Sequence, residues 1–109
     1  MHLVGVRRTL VERHPWLPVA VLKAFDAAKA IALNRLADPS APKASLPFLE
    51  EQVRAARDLM GEDYWPYGVE ANRHTLATFA RHHHAQGLSQ RLLAVDELFH
   101  PSTYQLASV

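Results

Sequence analysis

The ten residues Tyr64-Trp65-Pro66-Tyr67-Gly68-Val69-Glu70-Ala71-Asn72-Arg73 decide how this chain is read. Three aromatic side chains, a proline and a glycine make a stiff, partly apolar elbow, and a helix starts where the glycine ends it. Aromatic rings bury large areas and hold few rotamers, so an elbow this rich in them is rarely a plain surface loop. Downstream, the apolar spacing predicts a helix from Val69 to Gln86, with Gly87 as its stop. Val69, Asn72, Leu76, Phe79 and His83 share one face of it and Ala80 lies beside them. Glu70, His74 and Arg81 lie toward water.

Upstream of the elbow, Leu49, Val53, Ala56 and Met60 mark the buried stripe of another helix. Ser45 is positioned to cap it, Pro47 fits its first turn, and Gly61 closes it. Glu50 and Glu51 precede Arg54 and Arg57, the order a helix dipole favours. Asp38-Pro39-Ser40-Ala41-Pro42 carries turn chemistry, giving a linker over about residues 38–45. Before it, Trp16 to Leu36 reads as a long helix with Pro15 in its first turn. Leu17, Val21, Phe25, Ala28, Ala32 and Leu36 form one apolar stripe, and Trp16, Ala20, Ala24, Ala27 and Ile31 form a second. So wide an apolar surface predicts burial on more than one side.

Arg8 to His14 reads as a short helix, halted before Pro15 because a residue preceding proline avoids the α region. His2-Leu3-Val4-Gly5-Val6-Arg7 reads as one short N-terminal strand whose backbone needs a partner this chain does not clearly supply. The tail from Leu92 to Phe99 has room for a strand-like piece and one helical turn before Pro101. There is no internal repeat. The expectation is a mainly α chain, a single partial domain over 1–109.

The 12 basic and 11 acidic residues leave a net charge of +1, which offers no footprint for nucleic acid or an anionic membrane. The chain has no cysteine, so disulfides, thiolate catalysis and cysteine-based zinc sites are excluded. No signal-peptide pattern opens it and no apolar run approaches the ~18–20 residues that span a bilayer. A cytoplasmic location is the expectation.

The elbow, together with Gly87-Leu88, Val95-Asp96-Glu97-Leu98-Phe99 and Pro101-Ser102-Thr103, resembles the C-terminal part of the 4,5-dihydroxyphthalate decarboxylase family. Met1-His2-Leu3-Val4, Arg7-Arg8 and His14-Pro15-Trp16-Leu17-Pro18 resemble the segment where that family re-enters its first lobe. The resemblance implies a helical C-terminal fragment of an α/β fold like that of type 2 periplasmic solute-binding proteins, with a ligand cleft between two lobes. It implies a carboxy-lyase of aromatic catabolism that uses no cofactor and takes a small aromatic or organic anion once the cleft is complete. Two other readings stand beside it. The same cleft captures anions without turnover in solute-binding proteins, and the chain is alternatively a structural piece that joins a partner chain or self-associates.

Four residues are candidates for the site. The resemblance brings His2 near the cleft as a general acid. Tyr67 offers a hydroxyl to a ligand or packs the elbow. Asn72 puts an amide on the apolar helix face, where it either ties down the elbow's backbone or meets a ligand. Arg73 carries a planar fork suited to a carboxylate, or is a surface arginine at a helix start. His82-His83-His84 are not expected to bind metal: consecutive helix positions point about 100° apart, and a helical chelate wants an i, i+4 pair.

Overall fold

Helices form where the apolar steps place them. A computed structural model of the chain describes residues 2–38, 40 and 45–104. It contains α1 (Arg8–Arg13), α2 (Leu17–Leu36), α3 (Leu49–Met60), α4 (Val69–Ala85), the single turn α5 (Val95–Leu98) and a 3₁₀ turn at Pro101–Thr103. The chain is mainly α, as its periodicity predicts. Part of the expected 38–45 linker and the tail beyond Tyr104 lie outside the described residues. Among the described residues no helix is long and apolar enough to cross a membrane.

Three boundaries differ from the expectation, each for a local reason. Residues 2–7 form no strand, because no second strand exists among the described residues to take their backbone donors and acceptors. Pro15 sits in the turn between α1 and α2, and Pro18 instead fills the first turn of α2. Ser45 does not cap α3. The helix starts after Phe48, which adopts φ +57° in the left-handed region, and that reversal separates Ser45 from the first helical amides.

The helix stops are as the glycines dictate. Gly61 donates its N–H to the Arg57 carbonyl at 2.8 Å and turns away with φ +88°. At the end of α4, Gly87 N–H reaches the His84 carbonyl at 2.9 Å and Leu88 N–H reaches the His83 carbonyl at 3.0 Å. With Gly87 at φ +74°, this is the paired closure that a left-handed residue after the cap makes possible.

The core is small. Val69, Leu76 and Val95 are buried together, with Phe99 and Tyr104 packed against them. Ala80 is also buried, whereas Phe79, expected on the same face, is half-exposed and stacks near His83 at 5.7 Å. The tail draws the pieces together: α5 packs on α4, and the 3₁₀ turn packs on α2, which also receives α1. The Tyr104 hydroxyl lies within hydrogen-bonding reach of the Asp96 and Phe99 carbonyls, locking the two turns to each other.

Much apolar surface stays open. The second stripe of α2, from Trp16 to Ile31, is exposed throughout, and Phe25, Ala28 and Ala32 of the first stripe are exposed as well, so the expected burial on more than one side is not met among the described residues. On α3 nothing is fully buried, and Leu59 is 85% exposed.

Candidate functional site

The elbow is held from two sides. From α4, the Asn72 side-chain amide donates to the Pro66 carbonyl at 2.8 Å and to the Gly68 carbonyl at 2.9 Å. Both amide hydrogens are therefore used in bracing the bend, and among the described residues Oδ1 takes up no donor. Gly68 permits the bend, with φ +96° at the position just before the helix.

From α2, Lys29 reaches across the chain. Its Nζ donates to Asp63 Oδ1 at 3.0 Å, to Asp63 Oδ2 at 3.3 Å and to the Trp65 carbonyl at 3.3 Å. Asp26 Oδ1 lies 3.8 Å from the same nitrogen, and the Tyr67 ring centroid 4.9 Å from it. The lysine side chain is only 10% exposed. A charge held so far from water is tolerable because two carboxylates, a carbonyl and an aromatic face surround it.

Arg73 is already engaged. Its Nε and Nη2 donate to the two oxygens of Glu70 at 3.2 and 2.6 Å, and Nη2 also reaches Asp96 at 2.9 Å. These bonds, the one to Glu70 first, raise the guanidinium's pKa further above its ordinary value and lower that of Glu70. They also tie α4 to α5. Among the described residues the Nη1 edge takes up no acceptor. Close by, Arg91 clamps Glu97 through two bonds of 2.9 and 2.8 Å, and Glu97 accepts the Ala94 N–H at 2.8 Å. The Glu97 carboxyl is held down to about 2, by Arg91 first and the Ala94 amide second.

The structure thus brings Tyr67, Asn72 and Arg73 to one end of α4. His2 is exposed in the irregular N-terminal segment, with no polar partner among the described residues. His82, His83 and His84 occupy the last turn of α4, where the negative end of the helix favours them. Among the described residues no group of three metal-ligating side chains converges. A shallow, mostly apolar groove of about 420 Å³ lies between Ala77, Arg81, residues 92–95 and Glu97. Ala77 and Arg81 project roughly opposite Asn72 around α4, so this groove is separate from the elbow.

Lys29, Asp63 and Asp96 escaped the reading of the sequence. Each is a charged residue at unremarkable local spacing, and its partner lies more than 20 positions away. The faint signal for Lys29 is that it stands, three residues after Asp26, in the middle of a largely apolar helix.

No family model matches the chain. Its sequence is 54% identical over 105 residues to the 4,5-dihydroxyphthalate decarboxylase of Comamonas testosteroni. The alignment covers 96% of this chain and 32% of that protein, so the chain spans about a third of its relative's length. The resemblance read from the elbow and its companion motifs is borne out: nearly the whole chain is similar to a third-length stretch of a 4,5-dihydroxyphthalate decarboxylase.

Proposed function

We propose that this chain is the C-terminal segment of a 4,5-dihydroxyphthalate decarboxylase-like protein that removes carbon dioxide from an aromatic dicarboxylate, without a cofactor, in the cytoplasm. The observation that carries the reading is the 54% identity over 105 residues. The type 2 solute-binding-like parent fold belongs to the same proposal.

The chemistry suits such a substrate. In 4,5-dihydroxyphthalate each hydroxyl is para to a carboxylate and can feed electron density to the carbon that loses it. The ring carbon takes a proton from a general acid, the bond to the carboxyl carbon breaks, its electron pair returns to the ring, and carbon dioxide leaves. The remaining carboxylate needs donors to hold it.

His2 is the proposed acid. Tyr67 offers its hydroxyl, and Asn72 offers Oδ1, an acceptor matched to a substrate hydroxyl because both Nδ2 hydrogens are occupied. Arg73 would hold a carboxylate through Nη1, beside the two carboxylates it already binds.

The test supplies the native protein with 4,5-dihydroxyphthalate labelled in its carboxyl carbons. Labelled carbon dioxide and 3,4-dihydroxybenzoate, in equal amounts, are the expected products. Tight binding with no gas released would replace this reading by capture without turnover, and cell fractionation checks the location.

A further inference from the structure

We infer that Lys29 is a positioning residue for the elbow, holding residues 63–67 in the bend that presents Tyr67. The inference deepens the proposed function and rests on it for the purpose the elbow serves, though not for the contacts themselves. Lys29 stands in the middle of α2, 34 positions before Asp63 and 36 before Trp65. One ammonium group bonds the first residue of the bend through its carboxylate, the third through its carbonyl, and faces the ring of the fifth.

The division of labour with Asn72 makes the case. Asn72 secures the second half of the elbow, at the Pro66 and Gly68 carbonyls, from within the same stretch of chain. Its grip is local and would survive if the elbow swung as a unit. Lys29 supplies what a local bond cannot, a fixed relation between the elbow and a distant helix. A ligand group carried at the tip of a bend needs this, because a displacement of one ångström at a reacting group is costly.

The chemistry of the site asks for a long cation. A methionine has a stem of similar length and fills the same space, but leaves Asp63 and the Trp65 carbonyl without their donor. An arginine keeps the charge and can reach both acceptors and stack on the Tyr67 ring.

The experiment compares Lys29→Met, Lys29→Arg and the double variant Lys29→Met with Asp63→Asn in the native protein. The double variant removes the half-exposed carboxylate that the first would leave without its ammonium partner. Backbone NMR order parameters are followed in the elbow, residues 63–68, and separately in α4, residues 76–85. In Lys29→Met and the double variant they should fall from about 0.85 to below about 0.6 in the elbow alone, with α4 unchanged. Lys29→Arg should restore wild-type order. With 4,5-dihydroxyphthalate, kcat/KM should fall about tenfold in both methionine variants and recover with arginine.

Unchanged order in the elbow, or an equal loss of order in the elbow and α4, would overturn the inference: Lys29 would then be idle or a general stabiliser. Absence of carbon dioxide release by the wild-type protein would sink the decarboxylase reading instead. The order parameters still decide the role of Lys29 in that event.

Discussion

Asn72 shows how one residue can be half legible. Its phase on α4 places an amide on the apolar face, and such an amide must find partners. Those partners, the Pro66 and Gly68 carbonyls, lie within six residues, close enough for the sequence to suggest a brace. Asn72→Leu removes both bonds and leaves two part-buried carbonyls wanting. The variant should lose about 1–3 kcal/mol of stability in urea titration. If Oδ1 also accepts a substrate hydroxyl, affinity for 4,5-dihydroxyphthalate falls with it; intact stability would contradict the brace.

Arg73 was legible as a fork near a helix start, but not as a fork already closed. Asp96, 23 positions on, arrives only when the tail folds back against α4. Arg73→Lys keeps the charge and gives up the planar geometry. Should Nη1 hold a substrate carboxylate, this change weakens binding about tenfold or more in calorimetric titration. Wild-type affinity in Arg73→Lys would confine the residue to tying α4 to α5.

At the scale of elements, helix existence was plain from three- and four-residue apolar steps, and the Gly61 and Gly87 stops from their freedom to take positive φ. What escaped was chemistry that periodicity does not encode: the left-handed Phe48 that displaces the start of α3, and the 3₁₀ turn whose Tyr104 joins the core. Gly87 gives a clean test of the α4 stop. A methyl group there meets no atom within 4 Å, so Gly87→Ala costs only the backbone conformation at φ +74°. The expected loss is about 1–2 kcal/mol in thermal or urea unfolding, with activity retained.

The turn α5 should be acid-labile. Glu97 is held at about 2 against an ordinary value of 4.5, so its folded-state pKa is depressed. A depressed carboxylate contributes stability that is fully present above its unfolded value and is lost as pH falls through the folded one. The Arg91–Glu97–Ala94 clamp should therefore hold above about pH 4.5 and fail progressively toward pH 2. Amide exchange or NMR shifts of residues 94–98 report it, and Glu97→Gln should remove that pH step from the segment. A step of the same size persisting in Glu97→Gln would assign it to another group.

For the whole molecule, the dimensions carry the message. The Cα radius of gyration is 16.9 Å, where a compact chain of this length has about 13 Å. The accessible surface is 8602 Å², against about 6,100 Å² for a folded monomer of this mass, an excess of about 2,500 Å². A standard interface covers about 800 Å² per partner, so one ordinary contact leaves most of that excess open. Phe48, Leu59, Trp65 and the Trp16–Ile31 stripe of α2 are apolar groups of the kind a larger fold would cover. The match to about a third of a decarboxylase points the same way.

Sedimentation velocity of the native protein at micromolar concentration tests this most directly. The expected result is a particle well above the 12.2 kDa of these 109 residues, with these helices built into a larger fold or joined to a partner. A cooperatively folded 12.2 kDa monomer, with no partner and its apolar faces bare, would contradict it.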